Sequence, residues 1–353
     1  MTPSALARPD LQNPAVDKHG QTLSNACHGL NPPLRFSEWK RISSAHAMKL
    51  NMYNRRAFLA RTVVSGAGAT LAMNSLSWAA DQPARKRAKL STPNAEKLGW
   101  RLCCQMYTFR DRSFYESLDV LADMGVLRVE PAFFLPLSKE HPELKTSESL
   151  TPGQRREMKQ RLDDLGMSMP NYYAPIEGDK NAYRKVFDFA KEMGVETLVA
   201  EPPPEAFEAL DILCQEYRIN LAVHNHPEGP GSKYWNPDTF MKACEGRSAR
   251  IGGCPDTGHW VRSGLDTLES LRKYQKRIIT VHLKDAAESG KRDSRDVPLG
   301  AGQAKYDAIL KQFQEWKWRG VMTVEYEHQS PQLIQEVAQC VKFVEDFAAS
   351  AGK

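Results

Sequence analysis

The chain has 353 residues, of which 41% are hydrophobic, and this is enough for a leader and one large globular domain. Its formal net charge of +5 is unevenly distributed. Residues 1–79 contain nine lysines and arginines against three aspartates and glutamates, whereas residues 101–353 contain 34 against 38, a net charge of −4. An acidic body excludes a broad phosphate-binding face, so we expect no nucleic-acid partner.

A short motif near residue 55 indicates export. Arg55-Arg56-Ala-Phe-Leu precedes a mildly apolar run over residues 62–72, and small residues follow at Ser77 and Ala79. This pattern resembles a twin-arginine signal, so we expect a periplasmic or otherwise exported protein. The apolar run is too short and too rich in glycine to be a stable membrane anchor.

The chain divides into three parts. Residues 1–80 form the expected leader, although residues 1–47 do not fit a signal peptide and a start near Met48 is more natural. Residues 81–99 are basic and broken by proline, which is typical of a linker. Residues 100–353 form the expected globular domain.

Strand-like and helix-like segments alternate from residue 100 onward. The predicted strands are Leu102–Tyr107, Val126–Glu130, Met167–Tyr173, Val195–Glu201, Ile219–His226, Ile251–Asp256, Arg277–Lys284 and Val321–Glu327. The predicted helices are Phe114–Met124, Gln154–Leu165, Asn181–Met193, Glu205–Tyr217, Pro237–Cys244, Leu265–Tyr274, Tyr306–Trp318 and Pro331–Phe347. Eight strict alternations predict an α/β fold, a (β/α)₈ TIM barrel. A doubly wound sheet is the alternative, but no glycine-rich phosphate turn follows the first strand.

Possible metal ligands end four successive predicted strands. They are His224, Asp256, His282 and Glu325. Any one of them alone is more often a turn cap or a satisfied polar side chain. In a barrel, however, neighbouring strands present their carboxyl ends at one rim, so the four side chains converge. Two imidazoles and two carboxylates suit Mn²⁺, Zn²⁺, Co²⁺ or Fe²⁺, and the sequence therefore predicts a divalent metal site.

Several motifs resemble one family. They are Leu221-Ala-Val-His224, Asp256-Thr-Gly-His259, Val281-His282-Leu-Lys284-Asp285, Pro298-Leu-Gly300-Ala-Gly302 and Val324-Glu325. With them the chain resembles the xylose-isomerase-like barrels, the group of sugar phosphate isomerases and epimerases and of endonuclease IV. In the keto-sugar epimerases of this group, Glu, Asp, His and Glu from strands five to eight hold the metal. Asp256, His282 and Glu325 match the last three ligands, and His224 replaces the first.

The missing glutamate is also one of two acid/base carboxylates in those epimerases, so its replacement argues against ordinary two-carboxylate epimerisation. His226 lies two residues beyond His224 with the same strand parity, and Glu201 ends the adjoining strand. The resemblance therefore makes Glu201 and His226 the candidate catalytic groups for proton transfer, although Glu201 is also a candidate metal ligand.

Other predicted site residues are contacts to substrate. Lys284 and His259 are candidate contacts to a substrate oxygen or oxyanion, with a salt bridge to Asp285 as the alternative role of Lys284. Trp260 and Tyr107 are candidate substrate-binding residues that form part of a sugar platform. The alternative role of these aromatic side chains is to pack loops onto the rim.

The resemblance implies a metal-dependent sugar isomerase or epimerase that works through an enediolate of a keto-sugar. With a leaving group β to the carbonyl, the same chemistry gives a lyase or hydrolase of 3-keto-glycosides, and export favours that variant. The alternative of another class is a catalytically inactive sugar-binding barrel, while DNA repair of the endonuclease IV kind is disfavoured by the acidic body. The expected partner is a small carbohydrate; homo-oligomerisation stays open.

Overall fold

The computed structural model describes residues 89–351, and these residues form the predicted TIM barrel. The eight barrel strands are β1 (Trp100–Gln105), β2 (Val129–Glu130), β3 (Asn171–Tyr173), β4 (Thr197–Ala200), β5 (Asn220–His224), β6 (Ile251–Cys254), β7 (Thr280–Leu283) and β10 (Gly320–Val324). A short antiparallel hairpin, β8 (Asp285–Ala286) and β9 (Asp296–Val297), lies between the last two of them in the chain. The fold class predicted from the sequence is confirmed.

Helices follow the strands around the barrel. They are α1 (Pro93–Leu98), α2 (Phe114–Met124), α3 (Pro152–Asp164), α4 (Lys180–Met193), α5 (Phe207–Tyr217), α6 (Pro237–Ala243), α7 (Thr257–Arg262), α8 (Thr267–Tyr274), α9 (Tyr306–Glu315) and α10 (Leu333–Ala351). Their apolar faces pack with strand side chains in the main hydrophobic core, and Val199, Ala222 and Cys254 of β4, β5 and β6 form a second, small cluster. Within residues 89–351, none of these helices is long and apolar enough to cross a bilayer.

The order of the strands in the ring follows their order in the chain. Two parallel sheets, β2-β1-β10-β7 and β3-β4-β5-β6, make up the ring. Isolated parallel bridges join them, between Arg128 and Ser168 on one side and between Gly253 and Ile278 on the other. The carboxyl ends of all eight strands therefore lie on one rim, where TIM-barrel sites are built.

Local signals explain where the helices begin and end. At α2, Ser113 accepts a hydrogen bond from the Glu116 N–H while the Glu116 carboxylate accepts one from the Ser113 N–H, which is a capping box. The helix ends at Gly125, whose positive φ of 89° suits glycine. Leu118 and Leu121 are fully buried, which fixes the face that packs on the barrel. Strong local signals of this kind made α2 predictable residue for residue.

Two helices lie where the sequence suggested other structure. Within the predicted linker, Pro93–Leu98 forms α1, and the Glu345 carboxylate of α10 accepts hydrogen bonds from the Asn94 and Ala95 N–H groups. After β6, Thr257–Arg262 forms α7 in place of the expected loop. The predicted leader, with Arg55 and Arg56, lies outside the described residues.

Candidate metal centre and active site

The structure brings the four predicted metal ligands together. His224 ends β5, Asp256 follows β6, His282 lies in β7 and Glu325 follows β10. All four are buried, with at most 6% of any residue exposed. One ligand atom from each residue lies within 4.8 Å of those of the other three. The ring order of β5, β6, β7 and β10 therefore produces the convergence that the sequence predicted.

The four converging atoms lack hydrogen-bond partners. They are His224 Nε2, Asp256 Oδ2, His282 Nδ1 and Glu325 Oε2. Buried polar atoms are nearly always hydrogen-bonded, so four unpaired atoms at one place need an explanation. His282 Nδ1 lies 2.8 Å from Glu325 Oε2, yet the two do not form a hydrogen bond. Nitrogen and carboxylate atoms that all aim at a common centre fit a divalent cation.

Neighbouring groups hold Asp256 in this orientation. The Asn225 side-chain oxygen accepts a hydrogen bond from the Asp256 N–H at 2.8 Å, and its amide donates to the Asp256 carbonyl at 3.1 Å. Asp256 Oδ1 accepts the His259 N–H at the start of α7, at 2.9 Å. Because Oδ1 caps the helix, Oδ2 is left free to face the centre.

Lys284 is a buried cation beside the centre. Its Nζ lies 3.1 Å from Asp256 Oδ2, 3.2 Å from Glu325 Oε2 and 3.1 Å from Glu327 Oε1. Burial by itself would lower the pKa of Lys284, but these carboxylates outweigh burial and raise it above its usual value. Lys284 therefore stays protonated, which suits a contact to a substrate oxygen and excludes a role as proton acceptor.

The alternative salt bridge between Lys284 and Asp285 is not formed. Asp285 instead accepts hydrogen bonds from the backbone N–H groups of Gly300, Gly302 and Ala304, at 2.9–3.0 Å. Its carboxylate therefore holds the loop that contains the Pro298-Leu-Gly-Ala-Gly motif.

Glu201 and His226 form a pair at the edge of the centre. Glu201 Oε1 contacts His226 Nδ1 and lies 3.4 Å from His224 Nδ1. Burial raises the pKa of Glu201, but the two imidazoles outweigh it and lower the pKa below its usual range. The side chain of His226 is 44% exposed, compared with 18% for Glu201. Glu201 is thus a fixed anion that orients a more accessible imidazole.

The three other predicted substrate contacts, His259, Tyr107 and Trp260, lie in different surroundings. His259 is buried, and its Nε2 lies 3.2 Å from Lys284 Nζ. Its pKa lies well below the usual value, mainly because of burial. Tyr107 is half-buried, with the Arg110 guanidinium 4.7 Å from its ring centroid. Trp260, in contrast, is fully buried and packs edge-on against a core tyrosine, Tyr274. The structure therefore does not support Trp260 as a substrate contact, because helix α7 turns its indole into the core.

Sequence reasoning missed an ionic network next to Lys284. The Arg262 guanidinium donates to Asp296 Oδ1 and to Glu327 Oε2, both at 2.6 Å. Arg262 lies three residues after His259 on α7, so a helix prediction there would have identified it. Asp296 belongs to the β8–β9 hairpin, for which no sequence signal was seen.

Glu130 was missed as well. Its carboxylate is fully buried at the end of β2, and its Oε1 lies 2.7 Å from His282 Nε2. A carboxylate at the end of a predicted strand was the signal that identified Glu201, and it applied equally to Glu130.

Known proteins share both fold and sequence with this chain. Residues 118–344 match the model of a family described as xylose isomerase-like TIM barrel. Inosose dehydratase of Clostridium perfringens is 34% identical over 152 residues, which cover 39% of this chain and 50% of that protein. The chain thus spans about half the length of the curated relatives it matches.

Solved structures match over nearly their full length. A protein of unknown function from Parabacteroides distasonis is 26% identical, with a TM-score of 0.57, over 70% of this chain and 99% of that one. A D-tagatose 3-epimerase-like protein has the same TM-score of 0.57 at 17% identity, over 72% of this chain and 100% of that one. The second likeness shows the fold alone.

Proposed function

Because the chain belongs to the xylose isomerase-like TIM barrel family, we propose that it is a metal-dependent enzyme that removes a proton next to the carbonyl of a keto-sugar. The observation that carries the proposal is the convergence of four buried ligand atoms that form no hydrogen bond, beside an imidazole that is 44% exposed. His224, Asp256, His282 and Glu325 would hold the ion. When bound, a divalent ion supplies Lewis acidity that polarises a carbonyl and makes the adjacent C–H group more acidic.

His226 is the proposed proton acceptor. Its Nδ1 faces the Glu201 carboxylate, so a neutral imidazole places its proton on Nδ1 and its lone pair on Nε2. Glu201 itself is a poor base, because its lowered pKa makes it a weak proton acceptor. The proposal therefore gives the two residues different roles: His226 takes the proton, and Glu201 orients the imidazole.

The charges around the centre favour an uncharged substrate. Among residues 89–351, the two buried cations there, Lys284 and Arg262, already pair with carboxylates. Neither is free to neutralise a phosphate group. Glu327, which is not one of the proposed metal ligands, adds negative charge that would repel one. A neutral keto-sugar or keto-glycoside fits these charges better than a sugar phosphate.

The fate of the removed proton decides the reaction class. Its return to the same carbon or to a neighbour makes the enzyme an isomerase or epimerase. Epimerisation also needs a proton donor on the opposite face, and Glu327 is a poor one because it pairs with Lys284 and Arg262. Although burial opposes it, the neighbouring cations lower the pKa of Glu327 to about 2. The arrangement favours transfer on one face, as in isomerisation of a ketose or in elimination.

Elimination is the second candidate, favoured by the match to a dehydratase over 152 residues. In this reaction His226 takes the proton from the carbon next to the carbonyl, and the electron pair of that C–H bond forms a C=C bond. The C–O bond at the β carbon breaks, and its oxygen leaves as water or as an alcohol after protonation by His226. No oxidant is needed, because the substrate already carries the ketone.

Hydrogen exchange in deuterated water tests the common first step. Keto-sugars and 3-keto-glycosides are incubated with the metal-loaded enzyme, and deuterium next to the carbonyl is followed by NMR and mass spectrometry. Replacing His226 by Asn should slow exchange by about 10²–10⁴-fold, because a general base is lost. Glu201→Gln should slow exchange less, since it removes only the orienting carboxylate.

Controls separate this result from loss of the metal. His328 is another partly buried histidine, located beyond the end of β10, and His328→Asn should exchange at the wild-type rate. The metal content of each variant is measured in parallel. If His226→Asn and Glu201→Gln both keep the wild-type exchange rate, the assignment of the base is wrong. Products that retain the substrate mass indicate isomerisation, and loss of water or of an aglycone indicates elimination.

A further inference from the structure

Glu130 occupies a fully enclosed position inside the barrel. Its Oε1 lies 2.7 Å from His282 Nε2 and accepts a hydrogen bond from Gln105 Nε2 at 3.1 Å. Its Oε2 accepts hydrogen bonds from Asn171 Nδ2 at 3.0 Å and from Thr323 Oγ1 at 3.1 Å. A buried carboxylate is tolerated only when its oxygens are well paired, and here four side chains surround it.

The partners of Glu130 come from four different strands. Gln105 ends β1, Asn171 begins β3, His282 lies in β7 and Thr323 lies in β10. The amide groups of Gln105 and Asn171 can only donate to the carboxylate in the orientation observed. Both oxygens of Glu130 therefore act as acceptors, and Oε1 also faces His282 Nε2.

The two nitrogens of His282 face different surroundings. Nε2 faces Glu130, and Nδ1 is one of the four unpartnered atoms of the candidate metal centre. A neutral imidazole carries one proton, so a proton on Nε2 leaves the lone pair on Nδ1. Metal-bound histidines commonly donate their second N–H to a carboxylate, which fixes the tautomer and the orientation of the ring.

We infer that Glu130 is a positioning residue for His282, since it holds the proton on Nε2 and directs the Nδ1 lone pair into the metal centre. The inference rests on the metal centre proposed above. It adds a residue of β2, which β1 and β10 separate from β7 in the ring, to the four ligands of β5, β6, β7 and β10.

Zinc affinity is the first test. Glu130→Gln keeps the size of the side chain but removes the charge that holds the His282 proton. The affinity for Zn²⁺ alone, measured by competition with a chelating dye, should fall by about 10–100-fold, as for other carboxylates that accept a hydrogen bond from a metal-bound histidine. The matched control is Thr280→Val, which removes the hydrogen bonds of Thr280 Oγ1 with Asn171 and with the Val321 carbonyl in the same buried layer. This control variant should keep the wild-type affinity.

The outcomes have distinct meanings. Equal zinc affinity of Glu130→Gln and the wild type overturns the role of Glu130 and leaves the proposed function intact. A wild-type protein that binds no zinc, manganese, cobalt or iron removes the proposed metal centre, and this inference with it. Equal losses of affinity in Glu130→Gln and Thr280→Val also overturn the inference, because the effect would then belong to the whole layer.

A second measurement needs no folded variant. Long-range ¹H–¹⁵N NMR of the wild-type, zinc-loaded protein reports the tautomer of each histidine. His282 should show a protonated Nε2, shifted downfield by its carboxylate partner, and a metal-bound Nδ1. A protonated Nδ1 with a metal-bound Nε2 would contradict the inference directly.

Discussion

The buried ammonium of Lys284 provides a stringent test of the electrostatics of the centre. Lys284→Met keeps most of the side-chain volume and removes the charge. In the protein without metal, Asp256, Glu325 and Glu327 would then lose the fully buried cation that they share. We expect a large loss of stability in that state and, because a divalent ion would compete with the ammonium for Asp256 and Glu325, a higher affinity for metal.

The distances set the expected magnitude. Unit charges at the separations of 3.1–3.2 Å found for Lys284 attract each other by about 5 kcal/mol at an effective dielectric constant of about 20. The free-energy cost of burying the Lys284 ammonium offsets much of this attraction. Breaking a buried ion pair by removing one partner typically costs about 3–5 kcal/mol, and we expect a loss in that range.

A surface lysine supplies the matched control. Lys305 Nζ lies 2.8 Å from Asp266 Oδ2, but the two side chains are 60% and 42% exposed. An exposed pair contributes at most about 1 kcal/mol, so Lys305→Met should cost little. Guanidinium unfolding of the metal-free proteins, followed by circular dichroism, measures both losses. If Lys284→Met costs no more than Lys305→Met, the proposed electrostatic role of Lys284 is refuted.

The pH dependence has a defined sign. Burial opposes a raised pKa for Lys284, but its carboxylate partners prevail, so the folded-state pKa lies above the unfolded value of about 10.4. A group with a raised pKa stabilises the fold fully below the unfolded pKa and loses that contribution as the pH rises through the folded pKa. The contribution of the Lys284 charge should therefore stay constant between about pH 6 and pH 9.

Two further predictions concern the leader and the replaced ligand. We propose export through the twin-arginine pathway, so changing Arg55 and Arg56 together to Lys should leave the precursor in the cytoplasm. Cell fractionation measures its location, and normal recovery of the double variant from the periplasm would contradict the proposal. At the fifth strand, His224→Glu should retain bound metal and much of the activity, because a carboxylate can replace an imidazole as ligand. Metal analysis and turnover measure both effects, and loss of the metal would show that the centre requires a nitrogen there.

The barrel was predictable because its signals are local and repeated. Helix ends such as Gly125 and caps such as Ser113 lie within a few residues of the elements they define. Once eight strands alternate with helices, the closed ring follows, and the convergence of the strand ends follows from the ring. This is why His224, Asp256, His282 and Glu325 could be grouped without coordinates.

The predictions failed at the segment after β6, where a side-chain cap forms a helix from a sequence that is typical of a loop. Asp256-Thr-Gly-His259 contains a glycine and reads as a loop, but the Asp256 carboxylate caps the next turn and a helix forms. That helix decides the surroundings of Trp260, whose ring is directed into the core. An aromatic residue beside a site therefore carried no information about substrate contact until the helix was known.

The role of Glu130 shows which kind of contact could not be predicted from the sequence. Glu130 and His282 are separated by 152 residues in the chain, and their side chains meet inside the barrel because the sheet β2-β1-β10-β7 curves around it. Sequence identifies which residues end the strands, whereas the tautomer of His282 depends on a carboxylate across the barrel. The same reasoning applies to the replaced ligand. The sequence resemblance implies a glutamate at the position of His224. In this chain Glu201, which follows β4, places a carboxylate oxygen 3.4 Å from His224 Nδ1 and in contact with His226 Nδ1, so the proposed proton transfer lies at His226, at the edge of the centre.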